Sequence, residues 1–466
     1  MAPRPSLTIV AAFAMAPLVG ACGAAPLYPP ETAAACRAGV GQACLDLGTT
    51  LRPEHPMKAR AFLTAGCDAG EANACAVLGD MILRGEGAPP SRRHAITVLR
   101  GACQASPGSA ACVALGDLEA GWIDQIGVGM GQTCVLTTGA TLWCWGRNDR
   151  GQSGQRRPEV QVGHQRYGAE KAIERPRRVL LGGEDRPATA LSVGESHACA
   201  LDHRGEVWCW GNGERFGQLG LGAAYSAAPV QVVTEPEMIF GGAGYGWVGP
   251  PLTNARAVAA GACFSCALME DGTVSCWGCS EGYWDDAAHV RTVTGVRDAQ
   301  LLVAGAREAC VLNGAGGVTC GLPDHPRVLE GVPPLVVGIA IGVAPLAVTA
   351  DGGVWLWPSV GELPVRLDTP PAVEVLAWSD RACLRSAEGE VRCGYLRGDA
   401  LEGLAPVGLG AVVDFDMARA GAGAHACGVA HDGRARCVGD NAWGQLGAGD
   451  REPHAGPVSV TLPRVP

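Results

Sequence analysis

The sequence predicts a mainly β protein, a seven-bladed β-propeller preceded by a short α-helical repeat array, and three observations carry that prediction. Cysteines recur in pairs ten residues apart along the C-terminal three quarters of the chain, most pairs enclosing a glycine. Before them, a phrase of alanine, cysteine, leucine and glycine appears three times at helical spacing. Across 466 residues, 68 glycines and only 5% aromatics favour turn-dense architecture over long packed helices.

A hydrophobic fraction of 47% against 18% charged residues supports large buried cores and excludes wholesale disorder. The net charge is −10 and no basic stripe occurs, so nucleic acid is not an expected partner.

Arg4 is followed by an apolar run from Leu7 to Leu18 and then by Val19-Gly20-Ala21-Cys22. The run is too short to span a bilayer. Small residues directly before a cysteine resemble the lipobox of bacterial lipoproteins, which implies a signal peptide over 1–21, cleavage before Cys22 and a lipid on its sulfur. The proline- and alanine-rich residues 22–35 are expected as a tether.

Residues 36–121 carry the repeated phrase: Ala43-Cys44-x-x-Leu47-Gly48, Ala74-Cys75-x-x-Leu78-Gly79 and Ala111-Cys112-x-x-Leu115-Gly116. Ala74, Val77, Leu78, Met81 and Ile82 fall on one face of a helix. A partner cysteine precedes each phrase, at Cys36, Cys67 and Cys103, close enough to staple two antiparallel helices across their turn. These residues resemble the Sel-one-like repeats, relatives of the tetratricopeptide repeats, in their cysteine-rich bacterial exported form. The resemblance implies either a protein-binding array or a cap for the next domain.

From 122 to 466 the pattern changes to short alternating runs divided by glycine. Cys134/Cys144, Cys199/Cys209, Cys266/Cys276, Cys310/Cys320, Cys383/Cys393 and Cys427/Cys437 keep one interval, with Gly205, Gly272, Gly316, Gly389 and Gly433 six residues after the first cysteine. Such a glycine suits a three-residue hairpin loop, placing the two cysteines opposite each other on adjacent strands. A seventh unit lies at Leu346 to Trp357, where leucines occupy both cysteine positions. Joint loss of both partners is what a bonded pair shows. Trp143-Cys144-Trp145 and Trp208-Cys209-Trp210 alternate by two, putting tryptophans on one face of the blade and the bridge on the other. The terminal run Pro457 to Pro463 is expected to complete the first blade and close the ring.

Gly151-Gln152-Ser153-Gly154, Gly217-Gln218-Leu219-Gly220 and Gly444-Gln445-Leu446-Gly447, with His197 and His425 each two residues before a cysteine, resemble the regulator of chromosome condensation repeat family. The resemblance implies a seven-bladed propeller from about Trp122 to Pro463, here in a bacterial exported, disulfide-bearing form. The fourth, fifth and sixth units lack the glycine-glutamine turn.

Cys263-x-x-Cys266 and Cys276-x-x-Cys279 have the rhythm of zinc ligands. Both possible pairs, Cys263/Cys279 and Cys266/Cys276, share one midpoint, and residues three apart in a strand point to opposite faces, which favours two disulfides. The ladder takes twelve cysteines, the helical pairs six and Cys263/Cys279 two, which leaves Cys22 from the 21 present and implies an oxidising compartment.

Little points to catalysis, a metal or a cofactor. Gly244 to Gly249 fits a dinucleotide pattern, but Pro250 and Pro251 follow where a helix should start. Gly194-Glu195-Ser196-His197-Ala198 lacks the last glycine of a nucleophile elbow, and His197 occupies a repeat position. Phe216, Tyr225, Tyr245, Trp247, Tyr283 and Trp284, with Asp285 and Asp286, lie in glycine-rich insertions and are candidate anchors for a basic protein partner. The expected function is a non-enzymatic, lipid-anchored cell-envelope lipoprotein that binds a protein partner through propeller loops. An envelope hydrolase using the loop carboxylates and a purely structural surface protein are the alternatives.

Overall fold

The computed structural model describes residues 28–84, 86, 92–119, 122–155, 159–162, 165–168, 171–213, 217–220, 225–235, 237–241, 244–279, 289–359, 361–418 and 424–463. Two compact units result, one through Cys112 and one from Val113 onward.

The first unit is helical. Helices α1 (Pro30–Arg37), α2 (Gly41–Leu51), α3 (Pro56–Asp68), α4 (Ala72–Arg84) and α5 (Arg92–Ala105) are followed by α6 (Ala110–Glu119). Helix α1 begins inside the stretch expected as a tether. Disulfides Cys36–Cys44, Cys67–Cys75 and Cys103–Cys112 each join two successive helices across their turn. The apolar stripe read from the sequence is buried, with Leu47, Leu63, Ala74, Leu78, Met81 and Ile82 in one cluster. Glycine in the repeated phrase has a steric reason: a Cβ at Gly79 would lie 2.9 Å from the Leu99 side chain. The helices approach there as closely as a hydrogen allows.

The second unit contains seven four-stranded antiparallel sheets. Their first and last strands are Ile123–Val128 and Ala172–Val179 in blade one, Ala188–Val193 and Tyr225–Gln231 in blade two, and Ala255–Ala260 and Arg291–Thr292 in blade three. Blade four runs from Ala299–Ala304 to Arg327–Val328, blade five from Val336–Ile341 to Val365–Arg366, blade six from Glu374–Trp378 to Ala400–Pro406, and blade seven from Val412–Met417 to Val458–Val460. Two additional hairpins, Glu159–Val162 with Gln165–Gly168 and Glu237–Gly241 with Gly244–Val248, interrupt the series.

In six blades the ladder cysteines are register partners in the central hairpin, and in blade five Leu346 faces Leu356 at the same place. The hairpin glycine takes the left-handed conformation, as at Gly205 with φ 71°, while blade one places Ala140 there at φ 60°.

The terminal strand corrects one expectation. Val458–Val460 pairs with Ala435–Gly439 and completes the seventh blade, not the first. Blade one already has its own fourth strand, Ala172–Val179. The run Pro229 to Val233, on which the expectation rested, overlaps the outer strand of blade two, so the motif ends a unit and does not start one.

Alternation along the third strands packs blade against blade. Cys134 and Cys144 of blade one lie against Trp208 and Trp210 of blade two. The same arrangement puts Cys199 and Cys209 against Trp277, Cys310 and Cys320 against Trp357, and Cys427 and Cys437 against Trp143 and Trp145. Leu346 and Leu356 instead meet Leu384 and Leu396 of blade six, which has no tryptophan there. Each bridge is thus an apolar plate for the following blade.

Cys393 departs from the tryptophan-flanked pattern. It is bonded to Cys383 across the blade-six hairpin, but Arg392 and Gly394 flank it where Trp143 and Trp145 flank Cys144. The next blade offers no indole either, and the Cys383–Cys393 bridge packs on Phe415 and Met417 from the first strand of blade seven. The cause is local. With Arg436 and Val438 beside Cys437, blade seven has no large ring to lay over the bridge, so the side chains of its first strand fill the space.

Candidate functional site

The motif residues shared by the repeats are consumed by contacts between blades. The turn around Gln152 belongs to blade one, yet its Gln152 carbonyl accepts the indole Nε1–H of Trp210 in blade two at 3.1 Å. Likewise the Gln218 carbonyl accepts Trp277 at 3.0 Å and the Gln445 carbonyl accepts Trp145 at 2.8 Å. In blade five, Trp357 donates to the Glu330 carbonyl at 2.9 Å without such a turn. Histidine completes the joint: His425 Nε2 lies 2.7 Å from Thr133 Oγ1, and that hydroxyl donates to the Gln445 carbonyl at 3.0 Å. His197 Nε2 and Ser265 Oγ repeat the arrangement at 2.9 Å, with Ser265 donating to the Gln218 carbonyl at 3.1 Å. Because each hydroxyl proton is directed to a carbonyl, the imidazole Nε2 must be the donor. Both histidines are buried in the joints between blades.

First strands line the centre of the ring around a cavity of about 270 Å³ bounded by Ile126, Leu191, Val258, Leu302, Glu374 and Asp414, among others. Side chains of one first strand accept backbone N–H groups of the next. Gln125 takes the Leu191 N–H at 3.0 Å, Ser192 the Ala260 N–H at 2.9 Å, and Asp416 the Val128 N–H at 2.7 Å. Asp414 takes the Ile126 N–H at 3.0 Å. Burial pushes the Asp414 carboxyl up to about 8, with the nearby Glu374 carboxylate adding to the shift. Burial also raises Glu374, against the attraction of Arg385, whose Nε lies 2.6 Å from it.

Strand direction gives the ring two ends. One carries the links between first and second strands and between third and fourth strands; the other carries the central hairpins and the blade-to-blade links. At the latter end a groove of about 730 Å³ opens between blades five and six, lined by Val337, Asp351, Pro370, Pro371, Val373 and Glu388, among others. Leu335, whose carbonyl accepts the N–H of lining residue Ala350, is 77% exposed and held at φ 59°. Val337 and Val373 beside it are 55% and 46% exposed. A bulky apolar residue in the left-handed region, with its side chain in water, gains nothing from the fold's own core. The carboxyls nearby are ionised: the Thr349 hydroxyl holds Asp351 below its usual range, and its own backbone N–H does so for Glu388.

The expected partner anchors do not gather into a described site. Tyr225 is in the outer strand of blade two and 54% exposed. Tyr245 and Trp247 fall in the hairpin strand Gly244–Val248. Phe216, Tyr283, Trp284, Asp285 and Asp286 lie outside the described residues, as does Cys22. The zinc-like quartet is two disulfides, Cys263–Cys279 and Cys266–Cys276. Among the ladder sulfurs, Cys393 Sγ is buried 4.0 Å from the Met417 thioether. Among the described residues no group of three or more His, Cys, Asp or Glu side chains is placed to hold a metal. Sequence reasoning missed the groove, whose signals are the exposed run Leu335 to Val337 and the Pro370-Pro371 pair, neither of them a motif.

Comparison with known proteins agrees with this architecture. The profile of the regulator of chromosome condensation (RCC1) repeat matches residues 123–152, 188–218 and 255–282, in blades one to three. Human protein RCC2 is 31% identical over 147 residues, 32% of this chain and 23% of that protein, so the match spans about a quarter of the relative's length. Human WBSCR16 superimposes with a TM-score of 0.51 at 18% identity, covering 69% of this chain and 94% of that one, a likeness of fold. Yeast Prp20p, whose structure is described together with its binding to Gsp1p and histones, gives a TM-score of 0.45 at 18% identity, covering 63% and 79%. The chain carries RCC1-type repeats in its first three blades.

These relatives overturn part of the sequence reading. The matching RCC2 proteins come from human, mouse, zebrafish and frog, not from bacteria, so the bacterial exported form of the family is withdrawn. The cell-envelope lipoprotein function, the membrane partner and the lipid-anchored location fall with it, as do the envelope alternatives. The signal behind them was short, one arginine, an apolar run and small residues before Cys22, and such a pattern carries little information. No helix among the described residues is long and apolar enough to cross a membrane.

Proposed function

We propose that this propeller is a protein-binding scaffold that seats an extended apolar segment with basic residues in the groove between blades five and six. One observation supports the reading above others: Leu335, Val337 and Val373 are exposed together beside the ionised carboxylates of Asp351 and Glu388. Apolar anchors on a rigid frame with an acidic rim suit a basic partner, since the anchors supply affinity and the rim selects charge and speeds encounter. The chain's net charge of −10 acts in the same direction.

Histones and Gsp1p, the partners described for Prp20p, are the first proteins to try, histones being basic. Calorimetric titration of the purified chain should give saturable binding to at least one of them. The double variant Leu335→Asp with Val373→Asp should weaken it at least tenfold while leaving the melting temperature unchanged. Equal affinity in that variant would reject the groove as the binding surface.

A further inference from the structure

A second cavity lies at the opposite end of the ring, where blades four, five and six meet. It has a volume of about 580 Å³ and is lined by Arg307, Glu308, His325, Arg327, Val343 and Ser379, among others. Its origin can be read from the repeat. Glu308 stands where blades one, two and seven bury Gln132, His197 and His425, and the third strand of blade four bulges at Gly321, so that Leu322 pairs with Ala309 as Trp145 pairs with Thr133. The neutral glutamine or histidine that fills this link elsewhere is therefore missing, and charged residues occupy the walls.

Those charges are incompletely matched. Arg327 pairs with Glu308 at 2.8 Å, but its Nε is buried without a hydrogen-bond acceptor among the described residues. Arg307 is exposed and has no ion pair or hydrogen bond among the described residues, although it lines the same cavity. A buried guanidinium donor lacking an acceptor is costly, and a second guanidinium beside it sets the sign of the group that would satisfy both. The fold itself does not need a charged pair at this link, because blade five has Val343 and Ala344 where blade four has Arg307 and Glu308.

We infer that this cavity is a carboxylate-binding pocket, a seat for an aspartate or glutamate side chain presented by a partner protein. Arg307 supplies the uncompensated charge and Arg327 the buried donor. Glu308 holds Arg327 in place, and Asp324 on the rim restricts entry to a single carboxylate by repelling a more highly charged group such as phosphate. The pocket is independent of the groove between blades five and six and shares no residue with it.

The test is titration of the full chain with the blocked peptide Ala-Ala-Glu-Ala-Ala, followed by amide chemical shifts. Its glutamine counterpart and inorganic phosphate are run in parallel. The glutamate peptide should saturate with a dissociation constant on the order of 1 mM, and the glutamine peptide should bind at least tenfold more weakly. Arg307→Ala, which removes an exposed unpaired side chain and leaves the melting temperature unchanged, should lower the peptide's affinity at least tenfold. Tighter binding of phosphate than of the glutamate peptide, equal binding of the two peptides, unchanged affinity in Arg307→Ala, or no saturation at all would each overturn the assignment.

Discussion

Asp414, in the first strand of blade seven, accepts the backbone N–H of Ile126, in the first strand of blade one, at 3.0 Å and so ties the last blade to the first. Its carboxyl lines the central cavity and its pKa is pushed up from 3.8 to about 8, by burial first and by the Glu374 carboxylate second. The folded chain therefore keeps a proton that the unfolded chain releases. Its stabilising effect is whole below pH 3.8 and is lost as pH rises to about 8, so stability should fall across that window. The slope approaches about 1.4 kcal/mol per pH unit at most. Urea melts between pH 5 and pH 9 should show this fall, and Asp414→Asn should flatten it. An unchanged slope in that variant would place the titrating group elsewhere.

Trp210→Phe removes only the indole N–H that meets the Gln152 carbonyl, along with part of the ring. The buried carbonyl is left without its donor, a loss of roughly 1–3 kcal/mol. Denaturant unfolding should report it as a lower midpoint. Trp143→Phe should cost less, since that indole bonds only to Thr141 of its own hairpin, at 2.9 Å.

Blade five shows what replaces a bridge. Converting Cys199 and Cys209 together to leucine should leave a folded propeller, because Leu346 and Leu356 already occupy the same register positions without one. The loop-closure contribution of roughly 2.5–3 kcal/mol is lost but partly offset by leucine packing. Changing Cys199 alone to leucine forces a larger residue against a free thiol and should be the less stable of the two. Comparing their thermal midpoints decides the matter.

In the helical unit, Gly79→Ala should destabilise despite alanine's higher helix propensity. The new Cβ would sit 2.9 Å from Leu99 and push α5 away from α4. An expected cost of about 1–3 kcal/mol follows from overpacking. Leu99→Ala in the same chain should restore part of it, which a double-mutant cycle would measure.

The blades were legible because a constant interval of ten residues fixes the hairpin length, and because loss of Cys partners in pairs identifies Leu346 and Leu356 as a blade. The helical stripe was legible for the same reason, a period visible over one turn after another. The interval located Cys393 but not its surroundings, since Phe415 and Met417 reach its bridge from a different strand of the next blade. Ring closure was misread because Val458–Val460 looks the same as an outer strand whether it finishes blade seven or blade one; only pairing distinguishes them. Leu335 and Val373 were invisible as candidates because exposure is a property of the ring, not of a residue. Arg307 and Arg327 are twenty residues apart in a chain with arginines throughout, and they share a wall only because both links at one end of blade four bring them together. The compartment was misjudged from a motif too short to specify it.

The indole-to-carbonyl joints are unevenly distributed around the circle. Blades seven, one, two and three are linked in succession through Gln445, Gln152 and Gln218, and blades four and five through Glu330, whereas blades six and seven have no tryptophan to offer at that position. Four consecutive blades are thus fastened at every seam by an indole, while blades four, five and six have one such fastening among them. Both the groove and the arginine-lined cavity lie among those three blades. A ligand seated there would add a fastening where the ring has fewest of its own.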